Sequence, residues 1–464
     1  MLNKYKTYIR FLFFVAVTIL VTYYLPVYFS LFWYILLLVI YWKSEDEPFW
    51  LAFYLVTVDG FLGFFGVYTV VIRLIPGLPS IELAQFYILL TVIKAQRVKV
   101  QPYLFYRNFL WILLIYIVFM IIWGQAMGFS GELRDYFRVL KLTFPFLLFY
   151  SLPKLLQDLE SYRRLFGFIF LILVFAFASQ LFTLLTGLAP ARVFELTAEQ
   201  LTEAGVYRGF YNVGATLIGL FGALFFLALK EYRTFNQIYL YAIVVSAYGM
   251  AYLSATRGWM ISLSIIIILS LVFTSGIGKK KTIGFIIFTF IVISIGLSND
   301  KIRKQVDYAT DRLKSLEAVA EGDITAEGTL SRLETRGPRV MKVLWENPLF
   351  GWGFSDISRK YADSHVGNQT LLLYSGIIGF TLLIGFLVYF SLKLLRLYFQ
   401  KNKRFIFKDG LLVFVIFLAG WFIIHSTSGQ HFAYLGIPAQ IMPQAIFFSF
   451  GAFIYSKSRG SLYG

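Results

Sequence analysis

The sequence contains no cysteine, only three histidines and few charged residues, which occupy 14% of its 464 positions. The absence of cysteine excludes a disulfide framework and any thiolate metal site. No His/Cys cluster and no DxD-like motif has metal-ligand spacing, so we expect neither a metal nor another cofactor. The scarcity of charge, beside 59% hydrophobic and 20% aromatic residues, excludes a water-soluble protein of this size.

Long apolar runs take the place of the missing polar residues. They recur from Ile9 to Tyr455 and are roughly 17 to 25 residues long, enough to cross a hydrocarbon core of about 30 Å. We predict an all-α polytopic membrane protein, because strands in lipid would need the alternating pattern of a closed barrel. About fourteen spans are predicted, near residues 9–25, 28–42, 49–69, 81–95, 108–126, 136–152, 165–187, 209–229, 237–255, 258–275, 283–297, 367–392, 410–427 and 440–456.

The net charge of +17 fits the same architecture. With the N-terminus in the cytoplasm, every short, strongly basic connection falls on the cytoplasmic side, as the positive-inside rule requires. The C-terminal tail then also lies in the cytoplasm. We assign the charge to loops that meet anionic lipid and expect no nucleic-acid partner.

One long polar segment interrupts the apolar pattern and divides the chain into three parts. Residues 1–297 carry spans 1 to 11, residues 298–366 form an external loop, and residues 367–464 carry spans 12 to 14 and the tail. By count the loop holds eleven basic and eleven acidic residues, so its charges are locally balanced and do not set the topology.

Within this loop, Lys301 to Ala320 has helix-forming composition and helical spacing of its apolar residues. A capping-box pattern at Ser331 starts a second helix, which Gly337 and Pro338 must interrupt or kink. Gly351 and Gly353 are expected to form a flexible turn around Trp352. On helical geometry, three arginines at i, i+4 and i+7 point the same way, namely Arg332, Arg336 and Arg339.

A motif in the second half of the loop resembles the signature of a known superfamily. NPLFGWGF runs from Asn347 to Phe354, and ten residues separate His365 from Gly376, which opens GIIGF. SATRGW at residues 254–259 and YRGFYN at residues 207–212 are similar to two further motifs of that superfamily. Over residues 205–390 the chain resembles the O-antigen polymerase/ligase superfamily, which comprises Wzy-type polymerases and WaaL-type ligases.

The resemblance implies a GT-C-like fold in a bacterial inner membrane and an inverting glycosyltransferase with a periplasmic active site. The implied donor is an undecaprenyl-diphosphate-linked oligosaccharide and the acceptor is a glycan hydroxyl, with a chain-length regulator as a further candidate partner. We favour a polymerase over a ligase because the loop is long and two ligase-type details differ. His365 is followed by Val366 instead of Asn, and Ile261 stands where ligases commonly have Leu.

The expected chemistry needs positive charge around a diphosphate leaving group, which arginine can supply without a metal. The catalytic candidates are Arg257, Arg332, Arg339 and His365, where a side-chain pKa of about 6.5 suits a base or hydroxyl-positioner. The substrate-binding candidates are Arg208, Arg336, Trp352, Asp363 and Asn368, with Asp363 placed to orient His365.

Each candidate also has a purely structural interpretation. Arg257 would then be an interfacial arginine that reaches for water, and the loop arginines would form a solvated helix face. Trp352 would pack in a core or an interfacial belt. His425 and His431 are assigned to packing or solvent. Asp59 lies inside a predicted span and is a candidate functional residue, since intramembrane carboxylates are costly.

Three alternatives to a polymerase remain open from the residues. An O-antigen ligase would transfer the glycan to lipid A core, and a protein O-oligosaccharyltransferase would use the same scaffold with another acceptor. A lipid-linked glycan transporter or flippase belongs to a different class. It would show ionisable residues along a mid-membrane pathway and paired broken helices.

Overall fold

The structure is a computed structural model. It describes residues 2–59, 71–72, 81–99, 102–132, 135, 137, 143–188, 206, 210–229, 235–274, 282–283, 286, 296–314, 332–363, 365–400, 407–427 and 438–460. The regular structure among the described residues is helical apart from a two-residue antiparallel pair, β1 (Val71–Ile72) with β2 (Ile81–Glu82). The predicted all-α class is confirmed for this part of the chain.

The helices before the long loop are α1 (Leu2–Tyr24), α2 (Val27–Lys43), α3 (Glu47–Asp59), α4 (Leu83–Arg97), α5 (Arg107–Ala126), α6 (Leu148–Leu155), α7 (Leu159–Thr186), α8 (Val213–Ala228), α9 (Gln237–Leu253) and α10 (Arg257–Phe273). Those within and after the loop are α11 (Asp300–Lys314), α12 (Gly337–Leu344), α13 (Asp356–Tyr361), α14 (Gly367–Tyr398), α15 (Lys408–Thr427) and α16 (Pro438–Gly460). A 3₁₀ turn, Phe144–Leu147, leads into α6, and a π-helical turn, Arg332–Arg336, leads into α12.

Four helices among the described residues are long and apolar enough to cross a membrane: α1, α5, α7 and α14. Their composition and length therefore indicate a membrane protein. Most of the predicted span 283–297 lies outside the described residues.

The ends of α7 show how local sequence sets the helix limits. Asp158 caps the first turn by accepting a hydrogen bond from the Ser161 N–H at 2.7 Å. At the other end Gly187 adopts φ +77°, a left-handed conformation that glycine reaches at little cost, and its N–H donates to the Thr183 carbonyl at 2.8 Å. Between these caps, 28 residues run without a proline.

Small residues and aromatic rings together build the core of the bundle. Gly219 on α8 allows α7 to approach closely, since a Cβ there would lie 2.8 Å from Leu173 Cδ1. Rings from α8, α15 and α16 meet where Phe221 lies 4.7 Å from Phe414 and 4.8 Å from Phe447 between centroids. Such buried ring pairs add about 0.5–1.5 kcal/mol each beyond the area they bury.

The long loop folds back on the end of this bundle. The first loop helix, α11, packs on the ends of α7, α9 and α10, which confirms the predicted helix over its described part. Gly337 and Pro338 mark the change from the π-helical turn to α12, where proline occupies the first turn and costs no hydrogen bond. The predicted interruption is therefore the start of a helix.

Candidate functional site

Two arginines of the loop converge on one carboxylate. Arg336 Nη1 lies 3.4 Å from Asp363 Oδ1, and Arg339 Nη2 lies 3.1 Å from Asp363 Oδ2. The Asp363 side chain is 10% exposed, whereas the two arginines are 39% and 53% exposed. The predicted convergence is confirmed for Arg336 and Arg339, and the side chain of Arg332 lies outside the described residues.

The same carboxylate fixes the backbone at the candidate histidine. Asp363 Oδ1 accepts a hydrogen bond from the His365 backbone N–H at 2.9 Å. Thr370 closes this turn, because its hydroxyl donates to the Asp363 carbonyl at 2.8 Å and accepts from the Asp363 N–H at 3.0 Å. Asp363 therefore positions His365 through the main chain. His365 itself is exposed.

Asn368 lies one turn further along, at the start of α14. Its Oδ1 atom is buried and has no hydrogen-bond partner among the described residues. A buried carbonyl oxygen without a donor is costly, about 1–3 kcal/mol, so this atom is suited to accept a hydrogen bond from an internal water.

The NPLFGWGF motif forms a tight turn that fills a break in α14. Gly376 has φ +61° and ψ −173°, which interrupts the helix. The carbonyls of Leu373 and Tyr374, which lose their helical donors there, accept from the backbone N–H groups of Trp352 and Gly353 at 2.8 and 2.9 Å. The break is therefore satisfied by the motif itself.

The motif also accepts hydrogen bonds from the residues that follow the break. The N–H groups of Ile377 and Ile378 donate to the carbonyls of Pro348 and Leu349 at 2.9 and 3.1 Å. At Gly351, with φ +64°, a Cβ would lie 2.6 Å from the Gly376 nitrogen. The predicted turn is confirmed, but its glycines serve close backbone packing instead of flexibility.

Trp352 is held inside this turn. Its indole N–H donates to the Val343 carbonyl at 2.9 Å, and the ring packs on a small core of Val340, Val366 and Leu373. The residue is half-buried, so part of the ring stays accessible. Its role in substrate binding remains a prediction.

A second contact joins the loop to the exit of α5. The Ser130 hydroxyl and its backbone N–H both donate to Asp356 Oδ2, the latter at 3.0 Å. Arg359 lies 3.5 Å from Asp356 Oδ1 and sits over the Phe129 ring at 5.4 Å. The hydrogen bonds from Ser130, and to a lesser extent the charge of Arg359, lower the pKa of Asp356. The sequence alone does not predict the contact between Ser130 and Asp356, because 226 positions separate the two residues.

Arg257 is the first residue of α10 and is 8% exposed. The turn before it is unusual, since Ala255 adopts φ +50°, a region that residues with a Cβ rarely occupy. Helix α11 packs against this turn, where Gln305 Nε2 donates to the Leu253 carbonyl. Arg257 is therefore enclosed by protein, unlike an arginine at a free helix end.

The helix packing places Arg257 and His365 at the same end of the bundle. α14 and α15 are antiparallel neighbours, since Phe390 and Phe414 near their connected ends lie 6.5 Å apart. α15 is in turn antiparallel to α8, because Gly410 packs on Phe225 and Phe417 packs on Phe221. The start of α8 meets the end of α9 where Thr216 contacts Met250, and α10 begins four residues after α9 ends. The first residues of α10 and α14 thus both lie at the end of the bundle where α15 ends.

Other sequence candidates lie outside what the structure describes. Arg208 and His431 belong to segments that are not described, and the side chains of Asp59 and His425 are not described either.

Comparison with known proteins adds no further assignment. No protein-family model matches the chain, and no curated protein matches it. The superfamily resemblance therefore depends on the motifs alone.

Proposed function

We propose that this protein is a polysaccharide polymerase of the O-antigen polymerase/ligase type, acting at the periplasmic side of a bacterial inner membrane. About fourteen spans, a GT-C-like arrangement and cytoplasmic termini are parts of this proposal. The observation that carries it is the cluster in which Asp363 joins Arg336, Arg339 and the backbone of His365. Arg257 lies at the same end of the bundle.

The chemistry follows from the charges of the donor. An acceptor hydroxyl attacks the anomeric carbon of the glycan, the new C–O bond forms, and the bond to the diphosphate oxygen breaks. Undecaprenyl diphosphate leaves with the electron pair, so negative charge grows on its phosphate oxygens. Arginines stabilise that charge, with Arg257 and Arg339 proposed for this role and the undescribed Arg208 and Arg332 as further members.

His365 is proposed to take the proton of the acceptor hydroxyl or to position that hydroxyl. His365 is exposed and lies beside the arginine pair, where an acceptor sugar can reach it. Asn368, which is half-buried at the same turn, is proposed as a further residue that binds the substrate. General-base removal of a proton contributes about 10²–10⁴ in rate, which is the size of effect to look for.

The test is transfer from a synthetic undecaprenyl-diphosphate oligosaccharide by the purified protein in EDTA. We expect a ladder of products without any added core, reduced about 100-fold or more in His365→Ala and Arg257→Ala. Arg303→Ala is the matched control, because Arg303 on α11 is 68% exposed and pairs only loosely with Asp307 at 4.0 Å.

Other outcomes assign other functions. Product that appears only with lipid A core would make the protein a ligase, and product only with a peptide acceptor would make it a protein O-oligosaccharyltransferase. No transfer with any acceptor, or unaffected His365→Ala and Arg257→Ala variants, would contradict the proposal and favour a transporter or flippase.

A further inference from the structure

Residues 345–354, called the tip of the long loop below, expose large apolar side chains, which a loop in water rarely does. Trp345 is 63% exposed and Leu349 is 57% exposed. The lipid-type surface of α14 continues directly beside them, where Ile377 and Ile378 are 43% and 37% exposed. A contiguous apolar surface of this kind marks contact with a partner or a membrane.

The tip also lies nearer to the middle of the bundle than the ends of α5 and α14, the two helices that it contacts. The Phe354 N–H donates to the Met120 carbonyl at 3.2 Å, and Met120 is six residues before the last residue of α5, roughly 9 Å at 1.5 Å per residue. The Leu349 carbonyl accepts from the N–H of Ile378, eleven residues after α14 begins, roughly 16 Å along that helix. The tip is therefore level with Ile122 of α5, which is itself 66% exposed.

Much of the backbone of the tip is hydrogen-bonded within the protein, which lipid favours. Its carbonyls at Pro348, Leu349 and Gly351 accept from Ile377 N–H, Ile378 N–H and the Trp123 indole N–H, the last at 3.0 Å. Irregular backbone is tolerated at membrane depth only where protein supplies such partners. A loop in water would have no need of this pairing, because solvent would satisfy the same groups.

We propose that residues 345–354 form a re-entrant element in the outer leaflet, with Leu349 against lipid and with Trp345 and the exposed Glu346 at the level of the headgroups. Lipid is the occupant that fits, since the patch continues the exposed apolar face of α5 at Ile115 and Ile122. Tryptophan is typical of the membrane interface. The insertion keeps α12, which ends one residue before Trp345, and its Arg339 close to the lipid headgroups.

The absence of cysteine makes a direct test possible. Leu349→Cys and Trp345→Cys each give one thiol for a nitroxide label, with the protein in nanodiscs of phosphatidylcholine and phosphatidylglycerol. Accessibility of the label to oxygen, which concentrates in lipid, is compared with accessibility to a water-soluble nickel chelate. Ile115→Cys on α5 is the lipid control, and Asp311→Cys on α11, with its side chain 70% exposed, is the water control.

We expect the oxygen-to-nickel ratio at position 349 to lie within about twofold of the Ile115→Cys label. A ratio like that of Asp311→Cys would place the tip in water and overturn the proposal. Low access to both reagents with spin–spin broadening would reveal a contact between two copies and would also overturn it. Brominated-lipid quenching provides a label-free check, since quenching should fall in Trp345→Phe relative to the natural protein.

Discussion

The carboxylate of Asp363 sets the arrangement of charge in the candidate site. Two guanidinium groups close together repel, and a shared anion between them removes that cost. Because Asp363 is nearly buried and also holds the His365 N–H, the arginines and the histidine turn are fixed to one another. Arg336 and Arg339 stay half in solvent, so they can still reach a phosphate group.

A pH-dependent prediction concerns Asp356. Its pKa is lowered from 3.8 in the folded protein, because Ser130 donates two hydrogen bonds to the ionised form. A depressed folded pKa means that the stabilisation is present above the unfolded pKa and is lost as pH falls through the folded value. We expect Asp356→Asn to lower the thermal unfolding midpoint at pH 6 and to match the natural protein once the pH falls below the folded pKa of Asp356. Equal midpoints at pH 6 would contradict this prediction.

Sequence alone predicts part of this site. The spacing of Arg336 and Arg339 on a helix predicts that they point together, and the structure confirms it. Their partner is not predictable from local pattern, because Asp363 lies 27 and 24 positions away along a folded loop. Long-range pairs of this kind depend on how α12 and α13 pack, and hydropathy does not report on that.

The break in α14 is the main feature at the scale of elements. Hydropathy predicts a single span over 367–392, because Gly376 lies among apolar residues and does not lower the average. The break depends on hydrogen-bond donors and acceptors from residues 348–353, and a hydropathy average contains no information about such long-range contacts. The structure thus gives the motif a role in packing.

Gly376→Ala tests this interlock. With φ +61° and ψ −173°, Gly376 occupies a region that only glycine adopts readily, at a cost of about 1–3 kcal/mol for other residues, and an added Cβ would also clash with the Leu349 carbonyl. We expect a lower thermal unfolding midpoint and faster proteolysis of the loop.

Gly385→Ala is the matched control in the same helix. A Cβ at Gly385 meets its nearest atom, Phe109 Cε1, at 3.8 Å, which is ordinary contact. This substitution should leave the midpoint unchanged or raise it slightly, since alanine favours helix by about 1 kcal/mol. If both variants behaved alike, the interlock would not determine the stability of the loop.

At the scale of the whole molecule, α7 separates two polar ends. Near its start, Arg164 pairs with Asp46 at 2.7 Å, and near its end, the Leu185 carbonyl accepts from Lys301 at 2.5 Å. These contacts are 21 residues apart on one helix, roughly 30 Å. The candidate site lies at the second end. Hydropathy predicts the helices that span this distance, but not which of them neighbour one another, since an apolar surface carries little pairing information.

The end remote from the site holds a buried charge that should affect stability without affecting transfer. Glu47 is 3% exposed and accepts from the hydroxyls of Tyr41 and Tyr87 at 3.0 and 2.7 Å, and Lys94 lies 3.5 Å away. Lys94→Met leaves this carboxylate without its cation, which should cost about 3–5 kcal/mol. We expect a much lower thermal unfolding midpoint with the transfer rate per folded molecule unchanged.

Two comparisons make this last expectation specific. Adding Glu47→Gln to Lys94→Met removes the uncompensated charge while the Tyr41 and Tyr87 hydroxyls keep an acceptor, so most of the lost stability should return. Lys314→Met breaks an exposed pair with Asp311, 63% and 70% exposed, and should change stability by less than about 1 kcal/mol. A Lys94→Met protein with normal stability would mean that the tyrosines alone compensate Glu47. A reduced transfer rate per folded molecule would instead mean that the two ends of the bundle are coupled across α7.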